Sequence, residues 1–258
     1  MVTKHTILSK KELAILEKVI THLGYVVYFE DIRKLLANDF SPDEIKKQIS
    51  LLSKRGWLVR IKRGVFAVAG LESHSFANVS PLLVSQLLVP DSYVSFEFAL
   101  GHHGLFDQLP KRLTAVTRVR PKSFNFQGLE YRYAKIKIDL YYGFDKITID
   151  NQKANVADLE KVFLDYLYFR IDTYSVDLVL EKLKEGKDNL DFSKLQAYVE
   201  KYPFSVKRRL GFLLDLLDVP TDALYRKVKV KPGFSKLTNS STKFNARWRL
   251  YYENRFTE

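Results

Sequence analysis

Cationic and hydroxyl side chains are concentrated between residues 46 and 63, and these are the residues of the chain best suited to bind a polyanion. Four of these residues recur at helical spacing: Lys46, Lys47, Ser50 and Lys54. Four more follow: Arg55, Arg60, Lys62 and Arg63. Ammonium, guanidinium and hydroxyl groups donate hydrogen bonds to phosphate oxygens, and a guanidinium can do so through two parallel bonds. The segment therefore predicts a ligand rich in phosphate, such as nucleic acid.

A capped amphipathic helix must position the first four of these side chains. Ser41 suits the N-cap, Pro42 the first helical position, and Glu44 the third position of a capping box. Apolar residues then recur at i, i+4 and i+7 as one buried stripe: Ile45, Ile49 and Leu52. The lysines and Ser50 fall on the remaining faces, which gives a short helix with a basic polar side.

A β-hairpin with a basic turn is predicted directly after this helix. Gly56 ends the helix, and residues 57–61 have the composition of a strand. Alternation predicts Arg60 on one face of that strand and three residues on the other: Trp57, Val59 and Ile61. Residues 62–64 form the turn, with Gly64 available for a positive φ, and residues 65–68 return as the second strand.

Two further helices are predicted upstream, so that the first 70 residues read as a winged helix-turn-helix. Ser9 with Glu12 predicts the cap of the first helix, Gly24 its end, and residues 28–36 the second helix. In this motif the last helix enters the DNA major groove and the hairpin touches phosphates. We therefore expect the helix residues to face the groove (Lys46, Lys47, Ser50, Lys54) and the rest to lie on phosphates (Arg55, Arg60, Lys62, Arg63). The alternative is an ordinary α+β core whose lysines are merely solvated.

Composition predicts a folded protein without thiol chemistry. The chain has 258 residues, 46% of them hydrophobic and 14% aromatic, which is enough for one large or two ordinary domains. It has no cysteine, which excludes disulfides, thiolate zinc sites, iron–sulfur clusters and cysteine nucleophiles. No apolar run approaches the roughly 18 residues of a membrane helix, and residues 1–5 lack the apolar core of a signal peptide. A cytoplasmic protein is therefore predicted.

The basic excess lies at the two ends of the chain. The net charge is +12, with 13 Lys/Arg against 7 Asp/Glu in residues 1–70 and 9 against 2 in residues 226–258. Two clusters in the second half could make an accessory contact with nucleic acid or with a partner: Lys207, Arg208 and Arg209, and Lys227, Lys229 and Lys231. The second cluster alternates with valine, which predicts a strand whose charged face lies along phosphates or keeps an edge strand soluble.

The remainder of the chain predicts a second domain, residues 76–258, after a polar junction at residues 70–80. The fold class is therefore α+β: a winged helix-turn-helix over residues 1–70, then a domain with a small mixed sheet and several helices. Strands are expected at residues 113–117, 129–138 and 146–149. Helices are expected at residues 82–88, 157–168, 174–184, 192–201 and 205–217, and a strand at residues 247–252.

Motifs of catalysis and metal binding are missing from the sequence. HExxH, P-loop, GxGxxG and GxSxG patterns do not occur, and adjacent His102 and His103 would point about 100° apart on a helix. Carboxylates of the second domain show no spacing that requires a two-metal site: Glu97, Asp107, Glu130, Asp139, Asp145 and Asp150. We therefore predict neither an enzyme, nor a metal, nor a cofactor.

Several blocks, in order along the chain, resemble the AbiEi antitoxin family of abortive-infection toxin–antitoxin systems. The blocks are residues 88–100, 103–105, 113–117, 158–168, 208–214 and 245–250. One departure is Asp158, before Leu159, where the family pattern has a small residue followed by proline. The resemblance covers nearly the whole chain and starts at the winged helix.

The resemblance implies a two-part antitoxin. Its winged helix would repress its own operon by binding inverted repeats in double-stranded DNA, and its C-terminal domain would neutralise a nucleotidyltransferase-like toxin. Two alternatives remain open at this point. One is a winged-helix regulator whose second domain senses a ligand or dimerises, without a toxin. The other is a metal-dependent nuclease, for which Asp139 or Asp145 would be required.

Overall fold

The computed structural model, which describes residues 8–70 and 75–256, consists of helices and short strands. The predicted α+β class is confirmed. The chain forms two compact units, of which the first comprises Met1–Pro90, Phe124–Glu130 and Ile147–Ala154. The second comprises Asp91–Ser123, Tyr131–Lys146 and Asn155–Glu258. Residues 1–5, and residues 71–74 of the predicted junction, lie outside the described residues.

The elements up to residue 90 are α1 (Lys10–Leu23), β1 (Val26–Tyr28), α2 (Phe29–Leu36), α3 (Pro42–Lys54), β2 (Leu58–Lys62), β3 (Val65–Val68) and α4 (Pro81–Leu88). The elements of the middle are β4 (Ser92–Val94), α5 (Phe96–His102), β5 (Arg112–Thr117), β6 (Ser123–Phe126), β7 (Leu129–Lys135), β8 (Phe144–Ile149) and β9 (Gln152–Ala157). The last elements are α6 (Leu159–Phe169), α7 (Thr173–Glu185), α8 (Phe192–Val199), α9 (Phe204–Asp215), α10 (Asp222–Val228), β10 (Ser235–Lys236), β11 (Lys243–Asn245) and β12 (Leu250–Tyr252).

Local capping fixes the first and third helices where the sequence predicts them. Ser9 and Ser41 each accept a hydrogen bond from the backbone amide three residues on, and Glu12 and Glu44 complete both capping boxes. Gly24, with φ of 84°, follows α1. The apolar stripes of the three helices meet the hairpin in one core, which includes Ile32, Ile45 and Trp57.

The first sheet has one more strand than predicted. Strand β1 pairs with β3, giving the order β1-β3-β2, and the second helix starts at Phe29 rather than at residue 28. The predicted alternation in β2 is wrong, because the register shifts between Arg60 and Lys62. Leu58 and Ile61 are both buried, at 2% and 8% exposure, while Val59 is half-buried.

A six-stranded mixed sheet, ordered β6-β7-β5-β4-β9-β8, contains the three predicted strands as β5, β7 and β8. Strand β4 pairs antiparallel with β5 and parallel with β9, where Val94 lies opposite Val156. The predicted helices correspond to α4 and to α6 through α9. The sequence does not predict β4, β6 and β9. Strand β4 has only three residues, and a strand that short depends on partners far away in the sequence.

A buried polar cluster lies in the core of the second unit. Lys161 and Asp165, one helical turn apart on α6, are both 0% exposed, and the ammonium lies 2.8 Å from the carboxylate. Ser95 and Tyr93 donate to Asp165 over 2.9 and 3.1 Å, and Lys161 also donates to the carbonyl of Leu140 over 3.0 Å. The charges are therefore paired and hydrogen-bonded, as buried charges must be.

Helix α9 packs closely against an indole ring at Gly211. Trp248 is fully buried, and a Cβ added to Gly211 would lie 2.2 Å from its ring. The indole Nε1 donates to Asp215 over 2.6 Å, and the backbone amide of Trp248 donates to Asn245 over 2.9 Å. Glycine is therefore required at position 211 for α9 to contact the ring.

Candidate nucleic-acid interface

The polar face of α3 is exposed along its length. Lys46, Lys47, Ser50 and Lys54 are all exposed, whereas the opposite stripe is buried in the core of the first unit. At 13 residues the helix is about 20 Å long. A helix of this size fits the B-DNA major groove, which is about 12 Å wide.

The turn of the hairpin is held by backbone geometry. Gly64 has φ of 75°, and its carbonyl accepts a hydrogen bond of 2.9 Å from the amide of Phe29, at the start of α2. Arg60 Nε donates to the carbonyl of Lys62 over 3.4 Å, and Arg63 is exposed at the tip. The turn is thereby fixed against the first turn of α2, with its guanidinium side chains on the surface.

A groove of about 1060 Å³ joins the helix face to the hairpin within the first unit. Five of the eight predicted contact residues line it: Lys46, Ser50, Lys54, Arg60 and Arg63. Glu30 and Asp31 also line it, from the first turn of α2, and Glu30 is bridged to Arg33 at 2.8 Å. Lys46 forms a surface ion pair with Asp43 at 3.3 Å, and a pair of this kind contributes little stability, so a phosphate can replace it.

Three predicted contact residues do not line the groove. Lys47 is exposed on α3 outside it, and Lys62 is half-buried at the end of β2, where burial lowers its pKa. Arg55 has a different role from the predicted one: its guanidinium contacts both carboxylate oxygens of Glu12, at 2.7 and 2.6 Å. Because this pair joins the end of α3 to the start of α1, Arg55 is removed from the predicted phosphate contacts.

The groove also contains aromatic and hydroxyl side chains that the sequence pattern does not single out. Tyr28, 41% exposed, Phe29 and Ser53 line the groove together with the cations. Tyr28 ends β1, whereas the sequence predicts it as the first residue of the second helix. The signal for β1 was the pair Val26 and Val27, which is too short to predict a strand without its partner β3.

The basic cluster on α9 has a structural role, which corrects the prediction of an accessory contact. Arg208 and Arg209 are only 3% and 9% exposed. Arg208 donates to the carbonyls of Lys231 and Pro232, and Arg209 to those of Lys236 and Leu167. Burial lowers the pKa of Arg209 to about 10. Lys207 is likewise 9% exposed, with Nζ 4.8 Å from the centre of the Phe204 ring.

The predicted strand at residues 227–231 is wrong, because this segment ends helix α10. Leu224 and Val228, one turn apart, are buried there, and Lys229 follows as the C-cap. Lys227 forms an ion pair with Glu200, whereas Lys229 and Lys231 are exposed. The alternating lysines thus do not share the face of a strand.

Candidate catalytic side chains are scattered over the described residues. Within residues 8–70 and 75–256, no three His, Asp or Glu side chains form a group that could hold a metal ion. Asp139 and Asp145 are exposed, and His103 contacts the carbonyl of Ala157 at 2.8 Å. In the same described ranges, no helix is long and apolar enough to cross a membrane.

Comparison with known proteins gives a likeness of fold. No family model and no curated protein matches the sequence. The structure is similar to a crystal structure of the RV2827C protein from Mycobacterium tuberculosis, with a TM-score of 0.70 and 14% sequence identity. The match covers 96% of this chain and 92% of that chain. At this identity the likeness describes the whole fold and leaves function open.

Proposed function

We propose that the first unit binds double-stranded DNA as a winged helix-turn-helix and represses transcription. The observation that carries the proposal is the groove that joins the exposed face of α3 to the basic hairpin turn. In such a motif the helix reads base edges and the hairpin lies on the backbone. Lys46 and Ser50 then face the bases, whereas Lys54, Arg60 and Arg63 lie on phosphates, with Tyr28 as an added hydroxyl donor.

The test is the salt dependence of binding to the DNA upstream of the gene. Replacing Arg63 with Gln removes one phosphate contact, so the slope of log K against log[salt] should become shallower by about 0.9. Binding should weaken equally for operator and unrelated DNA. Lys46→Ala should instead lower the preference for the operator. Lys10→Gln, at an exposed site on α1, is the matched control. If it reduces the salt slope as much as Arg63→Gln does, the assignment of Arg63 to a phosphate contact is refuted.

The resemblance to the AbiEi family extends the proposal to an antitoxin that represses its own operon. The C-terminal part would then counteract a nucleotidyltransferase-like toxin, and the protein would act in the cytoplasm. The test is growth of a host that expresses the adjacent reading frame. If the full chain and its Arg63→Gln variant both restore growth, neutralisation of the toxin does not depend on repression of the operon. A harmless neighbour would refute the antitoxin part and leave a DNA-binding regulator.

A further inference from the structure

The small sheet β10-β12-β11 has one buried face and one exposed face. Leu250 of β12 lies opposite Ser235 and Asn245, and it is fully buried. The next residue, Tyr251, lies opposite Lys236 on one side and Phe244 on the other. Because residues opposite each other on neighbouring strands project to the same face, Lys236, Tyr251 and Phe244 form one row across the outer face.

A third aromatic ring extends this row. Phe234 lies two residues before Lys236, and its ring centre is 5.3 Å from that of Tyr251. The Phe244 ring centre is 5.1 Å from the same tyrosine. Phe234 is 65% exposed and Phe244 50%, so neither ring is placed here by core packing. Two adjacent exposed phenylalanines on a sheet surface indicate a surface that a ligand covers.

The surroundings of the row are cationic. Residues 229–251 contain six Lys/Arg and no Asp or Glu. Arg247 is paired with Asp215 and Asp222, but in the described part of the chain Lys229, Lys231 and Lys236 form no ion pair. Arg249 donates to the carbonyl of Lys231 over 3.1 Å, which ties the lysine segment to β12. The face thus combines exposed rings with a surplus of positive charge.

We propose that this face binds single-stranded RNA, with bases stacked on Phe234, Tyr251 and Phe244 and phosphates on the neighbouring lysines. A polyanion accounts for the charge, and unstacked bases account for the rings, since a duplex hides its base faces from flat aromatic side chains. An apolar peptide would match the rings but not the cations. An anionic membrane surface would match both, but Lys236 and the Tyr251 hydroxyl interrupt the apolar surface within the row.

The first test uses the full chain and a fluorescein-labelled single-stranded RNA of about 16 nucleotides, the upper end of the usual site size. Fluorescence anisotropy should show that Phe234→Ala and Phe244→Ala each weaken binding roughly 5- to 150-fold, the effect of losing one stacked base. Phe244→Trp should retain binding, because indole also stacks. Tyr174→Ala is the matched control, since Tyr174 is 58% exposed elsewhere in the second unit.

Charge is tested separately, without altering an aromatic ring. Lys236→Gln should make the salt dependence shallower by about 0.7, the value for one contact with a single strand, whereas Lys184→Gln on α7 should not. Duplex DNA binding should be the same in all these variants, so a failed operator test leaves this test intact. Equal RNA affinity of Phe244→Ala and Tyr174→Ala would overturn the proposal. Tighter binding of single-stranded DNA, or of phosphatidylglycerol vesicles, would also overturn it.

Discussion

Substitution of Gly211 by Ala tests the packing of the second unit most directly. Two effects oppose each other. Alanine is favoured over glycine inside a helix by about 1 kcal/mol. The new Cβ, however, would lie 2.2 Å from Cη2 and Cζ3 of Trp248, far inside the contact distance of about 3.5–4.0 Å between carbon atoms.

The overpacking decides the sign of the effect. Inserting a methyl group into a well-packed core costs about 1–3 kcal/mol, and Trp248 cannot move aside without losing its bonds to Asp215 and Asn245. We therefore take the upper end of that range and expect a net loss of roughly 1–2 kcal/mol. For a chain of this size this lowers Tm by about 2–8 °C.

The assay is thermal and urea unfolding followed by circular dichroism and tryptophan fluorescence. Trp248→Phe alone should destabilise, because it leaves Asp215 without its indole donor. In that background Gly211→Ala should cost less than in the native chain, because a shorter ring leaves room for the methyl group, and the double-mutant cycle measures the difference. A Gly211→Ala protein with unchanged or raised Tm would refute the reasoning.

Three further predictions concern stability. Burial acts to raise the pKa of Glu12, but hydrogen bonds from Ser9 and the attraction of Arg55 outweigh it, so the pKa is lowered. The stability that this carboxylate contributes is present above pH 4.5, the ordinary pKa of glutamate, and is lost as the pH falls through the lowered pKa. Glu12→Gln should therefore reduce the fall of the unfolding free energy at acid pH. An unchanged fall would contradict this. Lys161→Met should lower the free energy of unfolding in urea by about 3–5 kcal/mol, because it leaves the buried Asp165 carboxylate without its cation. Adding Asp165→Leu should restore part of this free energy, and no restoration would contradict the pairing. A Cβ at position 64 would meet no atom within 4 Å, but the residue has φ of 75°. Gly64→Ala should therefore lower the free energy of unfolding by about 1–2 kcal/mol through backbone strain alone. An unchanged Tm would show that the turn relaxes.

The parts of the fold that sequence predicts well are those fixed by neighbouring residues. Both capping boxes are local, and Ser9 and Ser41 cap α1 and α3 as expected. Gly64 adopts the positive φ expected of the hairpin turn. Strand β1 is different, because its three residues are a strand only through pairing with β3, about 40 residues later.

The candidate site shows the same division between local and distant causes. Exposure of Lys46, Ser50 and Lys54 follows from helical periodicity, which the sequence displays. The pairing of Arg55 with Glu12, 43 residues away, does not. At residues 227–231 the alternation of lysine and valine suggested a strand, whereas Leu224 and Val228 at i and i+4 carried the helical signal.

The first unit is completed by two late segments of the chain, residues 124–130 and 147–154. Gln152, in the second of these, donates to the carbonyl of Val26 in β1 over 3.3 Å. A ribosome adding about 5–20 residues per second needs roughly 3–13 s to pass from residue 90 to residue 154. During synthesis, therefore, helices α1 to α3 and the hairpin emerge first but wait several seconds for the last contacts of their unit, and a premature stop between these positions would release them unfinished.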